Sequence, residues 1–231
     1  MAGRSQRFYD AGYDRPKYRL QLAGRSVFAH AVGGFEAAFA TTPFLFVAAA
    51  EADEAFVRAE ATALGIASFD VVSLQETTAG QAETVERGLD AAGWSGALTV
   101  FNIDTFRPGF AFPGEPLASA DGWLEVFRGA GANWSYVKPA PGPGPWALET
   151  AEKQPISDLC CTGLYHFARA ADFRAALAAE RCAPQAHELY VAPLYNHLIA
   201  AGARIGWRLI ERSEVAFCGT PAEYEELSSS S

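Results

Sequence analysis

Between Pro43 and Asp104 the chain alternates three short apolar runs with two amphipathic segments, and that alternation leaves few architectures open. PFLFVAAA, Pro43 to Ala50, is a continuous apolar run of buried-strand type. DEAFVRAEATALG then reads as a helix that begins at an acidic cap, Asp53, and stops at Gly65. FDVVSL (Phe69 to Leu74) is a second strand, TTAGQAETVERGLDAAG a turn into a second amphipathic helix, and ALTVFNID (Ala97 to Asp104) a third strand with its acidic residue at the C-terminal end. Strand, helix, strand, helix, strand predicts an α/β fold with a parallel sheet, in which ligands sit outside the carboxyl ends of the strands. Upstream, Leu22 to Phe39 has apolar residues near helical spacing. Downstream, WLEVF (Trp123 to Phe127), NWSYVKP, DLCCTGLYHF and ARIGWRLIE read as strands, AADFRAALAAE and HELYVAPLYNHLIAAG as helices. The Pro-Gly run from Pro141 to Pro145 must be an exposed loop or hairpin tip, because it offers few backbone donors. We expect a single domain over residues 1–227 and a disordered tail over 228–231.

Half of the 231 residues are apolar, enough for a real core. A net charge of −9 argues against a nucleic-acid partner held through phosphate contacts. No apolar run reaches the roughly 18 residues of a spanning helix, and the basic start leads into Tyr9, Asp10 and Tyr13 instead of an apolar stretch. A cytoplasmic protein with no membrane partner is expected. Cys160, Cys161, Cys182 and Cys218 lack paired metal-site spacing and read as buried free thiols, and the four histidines are scattered.

Three polar groups fall at the carboxyl ends of the expected strands. The opening MAGRSQRFYDAGYDRPKY combines Gly3 with Arg4, Arg7 and Lys17, a combination that suits a phosphate, but one glycine matches neither known phosphate-loop pattern and a solvated basic terminus explains it as well. Asp104 ends a buried strand, with Asn102 two residues earlier on the same side; a carboxylate there can share magnesium with phosphate oxygens, or simply cap a turn. In TTAGQAETV, Gly80 allows close backbone approach and Gln81 offers donor and acceptor to a base edge, whereas a Thr-capped helix start accounts for the threonines and Glu83 alone.

The opening run resembles the signature loop of the sugar-phosphate nucleotidyltransferases, a Gly-rich segment ending in Arg followed about ten residues later by Pro-Lys. FNIDTF is similar to that family's metal-binding strand end, ETAEKQPISDLCCTGLYHF to its Glu-Lys and Thr-Gly sugar-site segments, and the stretch from ELYVAPLYNHL to FCGTPAEYEEL to its closing helix, strand and Gly-Thr-Pro segment. The likeness is in order and spans nearly the whole chain, and is nearest to members from capsular and surface polysaccharide gene clusters. It implies a Rossmann-like glycosyltransferase-A fold, with a mixed, mainly parallel central sheet and helices on both faces, that joins a nucleoside triphosphate to a sugar phosphate and releases pyrophosphate. By position it implies that Arg7 and Lys17 hold the triphosphate. Ala2, Gly3, Arg4, Gly80, Gln81, Ala82 and Asn102 would bind the nucleotide. Lys153 would meet the sugar phosphate, Glu152, Gly163 and Glu188 the sugar, and Asp104 would hold Mg2+. Whether the chain forms a homo-oligomer stays open.

The chain departs from the family pattern at three places. Phe217 stands where many members carry a second metal-binding Asp, and Ser5 and Gln6 replace the usual Gly and Ser or Thr. The apolar strand that enters the loop in the family has no counterpart ahead of Ala2, so a chain starting upstream is expected. Two other readings stay open: a glycosyltransferase that consumes a nucleotide sugar, with Asn102 to Asp104 as its metal motif, and a non-catalytic nucleotide- or sugar-binding member.

Overall fold

A computed structural model describes residues 5–49 and 51–229. In chain order the elements are α1 (Gln6–Asp10), β1 (Gln21–Leu22), β2 (Arg25–Ser26), α2 (Val27–Gly33), β3 (Phe44–Ala48), α3 (Glu51–Ala63), β4 (Phe69–Ser73), α4 (Gln81–Ala92), β5 (Leu98–Val100) and β6 (Thr105–Phe106). Then follow β7 (Gly122–Arg128), β8 (Ser135–Pro139), β9 (Ala147–Glu152), β10 (Leu159–Phe167), α5 (Ala170–Cys182), α6 (Leu194–Ala200), β11 (Ile205–Ile210), β12 (Ala216–Phe217) and α7 (Pro221–Ser229). They gather into two compact units, one of Met1–Thr77, Asn102–Ala111 and Ser213–Ser231, the other of Thr78–Phe101 and Phe112–Arg212.

In the first unit β3 and β4 pair in parallel from Phe44 and Phe69 to Ala48 and Ser73, with α3 as the crossover, as the alternation predicts. Phe8, Leu20, Leu22, Val27, Ala31, Phe106 and Cys218 form a buried cluster that draws together the start of the chain, β6 and the segment after β12. Phe8, Tyr13 and Tyr224 meet edge to face around it, 5.4 to 6.3 Å between centroids. This packing fixes the two segments that carry Lys17 and Asp104.

The second unit is built on a six-stranded mixed sheet in the order β11-β7-β10-β8-β9, with β5 also on β10. β7 and β11 run in parallel and the remaining ladders are antiparallel. Phe167 of β10 stacks on Tyr195 of α6 at 4.5 Å and meets Phe173 of α5 edge-on at 5.2 Å, which seats both helices. The α/β class with a mixed sheet is the one expected, but this sheet is mainly antiparallel, and the third expected strand stops at Val100 and pairs antiparallel with β10 instead of extending β3 and β4. The Pro-Gly run forms the tip between β8 and β9, where the Trp207 N–H donates to the Pro145 carbonyl at 2.8 Å and Arg204 lies 4.3 Å over the Trp146 ring.

Several local expectations change. Leu22 to Phe39 is not one helix: Ala23 and Gly24 both take positive φ, 46° and 76°, and turn the chain into the β1–β2 hairpin. Ser26 then caps the short α2 by accepting the Ala29 N–H at 2.9 Å. Asp53 is not a cap but lies inside α3, where it pairs with Arg19. The helix expected from His187 begins only at Leu194, after Pro193, which has no N–H to donate. β9 was not expected, because Ala and Glu are poor strand formers; the β8 ladder imposes it. α7 carries through Ser228 and Ser229, the first two residues of the expected tail. Cys182 is exposed at the end of α5, whereas Cys160, Cys161 and Cys218 are buried. The strand sought ahead of Ala2 lies outside the described residues. Among those residues no helix is long and apolar enough to cross a membrane.

His166 of β10 stacks on Trp123 at 5.2 Å, and its Nδ1 shares a hydrogen bond with the Thr99 hydroxyl at 2.8 Å. Burial pushes its pKa down to about 4. The unfolded chain, with a histidine near its usual 6.5, binds the proton first, so stability is full above that pH and falls as pH drops from 6.5 towards 4. The expected loss across this window is about 3 kcal/mol. Denaturant titrations of wild type and His166→Gln at several pH values check it, the variant showing a flatter dependence.

Candidate active site

Lys17 opens a single 3-10 turn, Lys17–Arg19, that is held on both sides. Tyr18 is buried and packs on Phe56 of α3, and Arg19 reaches Asp53 at 2.9 Å while lying 4.9 Å over the same ring. With its two successors turned into α3, Lys17 points the other way: its ammonium donates to Asp104 Oδ2 at 2.5 Å, both side chains being about a fifth exposed (21% and 23%). The Lys17 N–H donates to the Ser5 hydroxyl at 3.3 Å. Ser5 itself sits in the left-handed region, φ 49°, at a place where the family pattern has glycine. Arg7 is exposed on α1, two residues beyond Ser5. Ala2, Gly3 and Arg4 lie outside the described residues.

Asp104 closes a turn in which the Asn102 carbonyl accepts the Thr105 N–H at 3.2 Å. The adjoining β6 pairs with β12, Phe217 opposite Thr105, and the Cys218 N–H donates to the Asp104 carbonyl at 2.8 Å. Gly219 follows, where a Cβ would lie 3.1 Å from Asp104 Oδ2. Thr220 and Glu223 then form a capping box at the start of α7. The Thr220 hydroxyl accepts the Glu223 N–H at 3.3 Å, and Glu223 Oε2 accepts the N–H groups of Gly219 and Thr220 at 2.9 Å each. The Gly-Thr-Pro segment thus brackets Asp104 through backbone contacts. Burial, reinforced by Asp104 and opposed by Lys17, pushes the Cys218 thiol up to about 12, so it stays neutral beside the ion pair.

Phe217 adds no carboxylate beside the turn that carries Asp104, and among the described residues no group of three or more His, Cys, Asp or Glu could hold a metal ion. Magnesium characteristically takes one or two carboxylates and completes its shell with water and phosphate oxygens. The donors present therefore fit an ion shared with a phosphate substrate, and they do not fit a cage made by protein alone.

In the second unit Gly80 precedes α4, with Gln81 and Ala82 in its first turn. Glu83 accepts the Ala79 N–H at 2.5 Å, which with Arg87 holds its carboxyl below the usual range against burial, and Thr84 and Thr78 share a 2.6 Å hydroxyl contact. Gly80 answers to Leu189: a Cβ there would meet Leu189 N and O at 2.6 Å.

Lys153, with φ 57° at the end of β9, donates from Nζ to the Tyr190 hydroxyl at 2.7 Å and lies 4.7 Å over that ring. The Tyr190 bond, together with Glu152 and Glu188, raises the Lys153 pKa against burial, so the cation is retained. Glu152 Oε1 is 4.0 Å from Lys153 Nζ and its Oε2 accepts the Ser135 hydroxyl; burial nevertheless raises its pKa. Glu188 is half exposed and lies 3.3 Å from His187. Gly163 is buried within β10 at φ 94°, inside the register shift between Cys161 and Tyr165, a conformation a bulge requires and glycine supplies. Tyr190 and the Arg19–Asp53 pair escaped the sequence reading. An aromatic residue two positions after Glu188 was the available signal for the first, and nothing local marks the second.

The chain superposes on the crystal structure of the nucleoside-diphosphate-sugar pyrophosphorylase from Vibrio cholerae RC9 with a TM-score of 0.94 and 49% identity, over 99% of this chain and 98% of that one. The chain belongs to the sugar-phosphate nucleotidyltransferase family. It is a nucleotidyltransferase enzyme. Two more distant structures share the family's fold. The inositol-1-phosphate CTP transferase from T. maritima has 12% identity and a TM-score of 0.73, covering 98% of this chain and 91% of that one. The UTP-bound UGPase from Acinetobacter baumannii has 16% identity and a TM-score of 0.69, covering 99% and 90%. A scan against protein-family models gave no match, nor did a search of curated proteins.

Proposed function

We propose that this nucleotidyltransferase joins a nucleoside triphosphate to a phosphorylated sugar, or a similar phosphorylated small molecule, and releases pyrophosphate. The observation that carries the reading is the Lys17 ammonium on Asp104 at 2.5 Å, a cation and a metal-type carboxylate held in one place by buried anchors. The relatives' substrates agree in kind, since one structure contains UTP and another is a CTP transferase acting on inositol 1-phosphate.

In the reaction a phosphate oxygen of the sugar phosphate attacks the α-phosphorus, and the bond from that phosphorus to the bridging oxygen of the pyrophosphate breaks. No protein nucleophile is needed; the task is positioning and charge stabilisation. Lys17 and Arg7 neutralise the triphosphate, and Ala2, Gly3 and Arg4 are assigned to the same nucleotide. The Gly80, Gln81, Ala82 turn is assigned to the base, and Asn102 to the nucleotide. Lys153, kept charged by Tyr190, receives the phosphate of the second substrate, while Glu152, Glu188 and the Gly163 bulge face its hydroxyls. Asp104 would hold Mg2+, which supplies neutralising charge to the phosphates. Surface-polysaccharide precursor synthesis in the cytoplasm is the setting we assign.

Pyrophosphate release from CTP, UTP and dTTP, each paired with glucose 1-phosphate and inositol 1-phosphate, tests the reading. Magnesium-dependent release with at least one pair is expected. No release from any pair, with consumption of a nucleotide sugar instead, would establish the glycosyltransferase alternative.

A further inference from the structure

Leu189 joins two segments that carry different parts of the candidate site. Its N–H donates to the Ala79 carbonyl at 3.0 Å, and its carbonyl accepts the Ala82 N–H at 2.8 Å. The contact has no slack, because a Cβ at Gly80 would lie 2.6 Å from both Leu189 N and O. On the near side of this bridge is the turn that opens α4. On the far side are the chain neighbours of Leu189, Glu188 and Tyr190, and the Tyr190 hydroxyl and ring hold the Lys153 ammonium.

The same segment is anchored from behind by a buried carboxylate. Glu180 is 1% exposed, and its two oxygens accept the Gln185 N–H and side-chain amide at 2.7 Å each. Only three residues, Ala186 to Glu188, separate that anchor from the Leu189 bridge, and Tyr190 follows the bridge directly, so a shift of the α4 turn has a short path to Tyr190.

We propose that the Leu189 bridge couples the two subsites. A nucleotide that orders the Gly80 turn also orders Tyr190 and thereby Lys153, so that nucleotide and phosphorylated co-substrate bind with positive cooperativity. Gly80 and Tyr190 are positioning residues in this scheme, since they act through Leu189 and Lys153. The inference rests on the reading that the Gly80 turn faces the base and Lys153 the co-substrate phosphate. Ordering one segment for both ligands lets the second bind without repeating that loss of entropy, and such coupling is typically about 5- to 150-fold.

Two measurements on the full chain test it. In Gly80→Ala, the KM for the co-substrate that turns over should rise about tenfold, a change that a residue serving the base alone would not produce. A raised KM for the triphosphate with an unchanged KM for the co-substrate overturns the coupling. Should that variant fail to fold, hydrogen exchange on the wild type decides: with CTP, UTP or dTTP and magnesium, amides of residues 79–82 and 187–190 should slow together. Slowing confined to 79–82 overturns the coupling. Slowing at neither segment, in a protein that releases pyrophosphate, overturns the base-facing assignment and the coupling with it. Absence of pyrophosphate release is a separate result and strikes the proposed reaction itself.

Discussion

Asp104→Ala is expected to lower magnesium-dependent pyrophosphate release at least about a hundredfold, the scale seen when one preorganised electrostatic contact to a transition state is removed. The side chain ends the turn before β6, and its backbone is held by Cys218 whatever the side chain is, so the substitution deletes the carboxylate without freeing the segment. The Lys17–Asp104 pair is about a fifth exposed, and leaving the Lys17 ammonium without its partner should lower stability by about 1–3 kcal/mol while the fold is kept. Activity and stability therefore separate. Initial rates across a magnesium titration, set beside thermal unfolding of the same samples, check both halves; an unchanged rate would remove Asp104 from the reaction.

Lys17→Met should also reduce kcat by about a hundredfold or more, because charge develops on the departing pyrophosphate and a fixed cation acts on it without reorganising. Its second consequence distinguishes it from a structural lesion. In the free protein Lys17 occupies Asp104 Oδ2, so removing the ammonium leaves the carboxylate available to magnesium. Half-saturation by magnesium should therefore not rise in Lys17→Met, even as the rate collapses. The Tyr18 and Arg19 anchors on α3 are untouched by the change, which keeps the turn in place.

The parts of this molecule that local pattern governs were readable from the sequence. The β3–α3–β4 crossover follows from two apolar runs around an amphipathic segment, and β10 and β11 follow from apolar runs of strand length. What failed depended on partners distant in sequence. β9, rich in Ala and Glu, is a strand because β8 offers it a ladder. Asp53 looks like a helix cap but meets Arg19, thirty-four positions earlier in the chain. At the site, Lys17 and Asp104 were legible as residue types in a family-like order, and the structure brings them together across 87 positions. The sequence marks Gly80 for close backbone approach; the approach the structure shows is to Leu189, which no local pattern announces, and that leaves its assignment to the base as proposed. Tyr190 was hidden for the same reason, since its value lies in the Lys153 ammonium above its ring.

The most direct test is a crystal of the protein soaked with magnesium and whichever triphosphate supports turnover. The account predicts that the Lys17–Asp104 contact opens, with the Lys17 ammonium on phosphate oxygens and the Asp104 carboxylate on the ion. A triphosphate bound elsewhere, with Lys17 still 2.5 Å from Asp104, would contradict it.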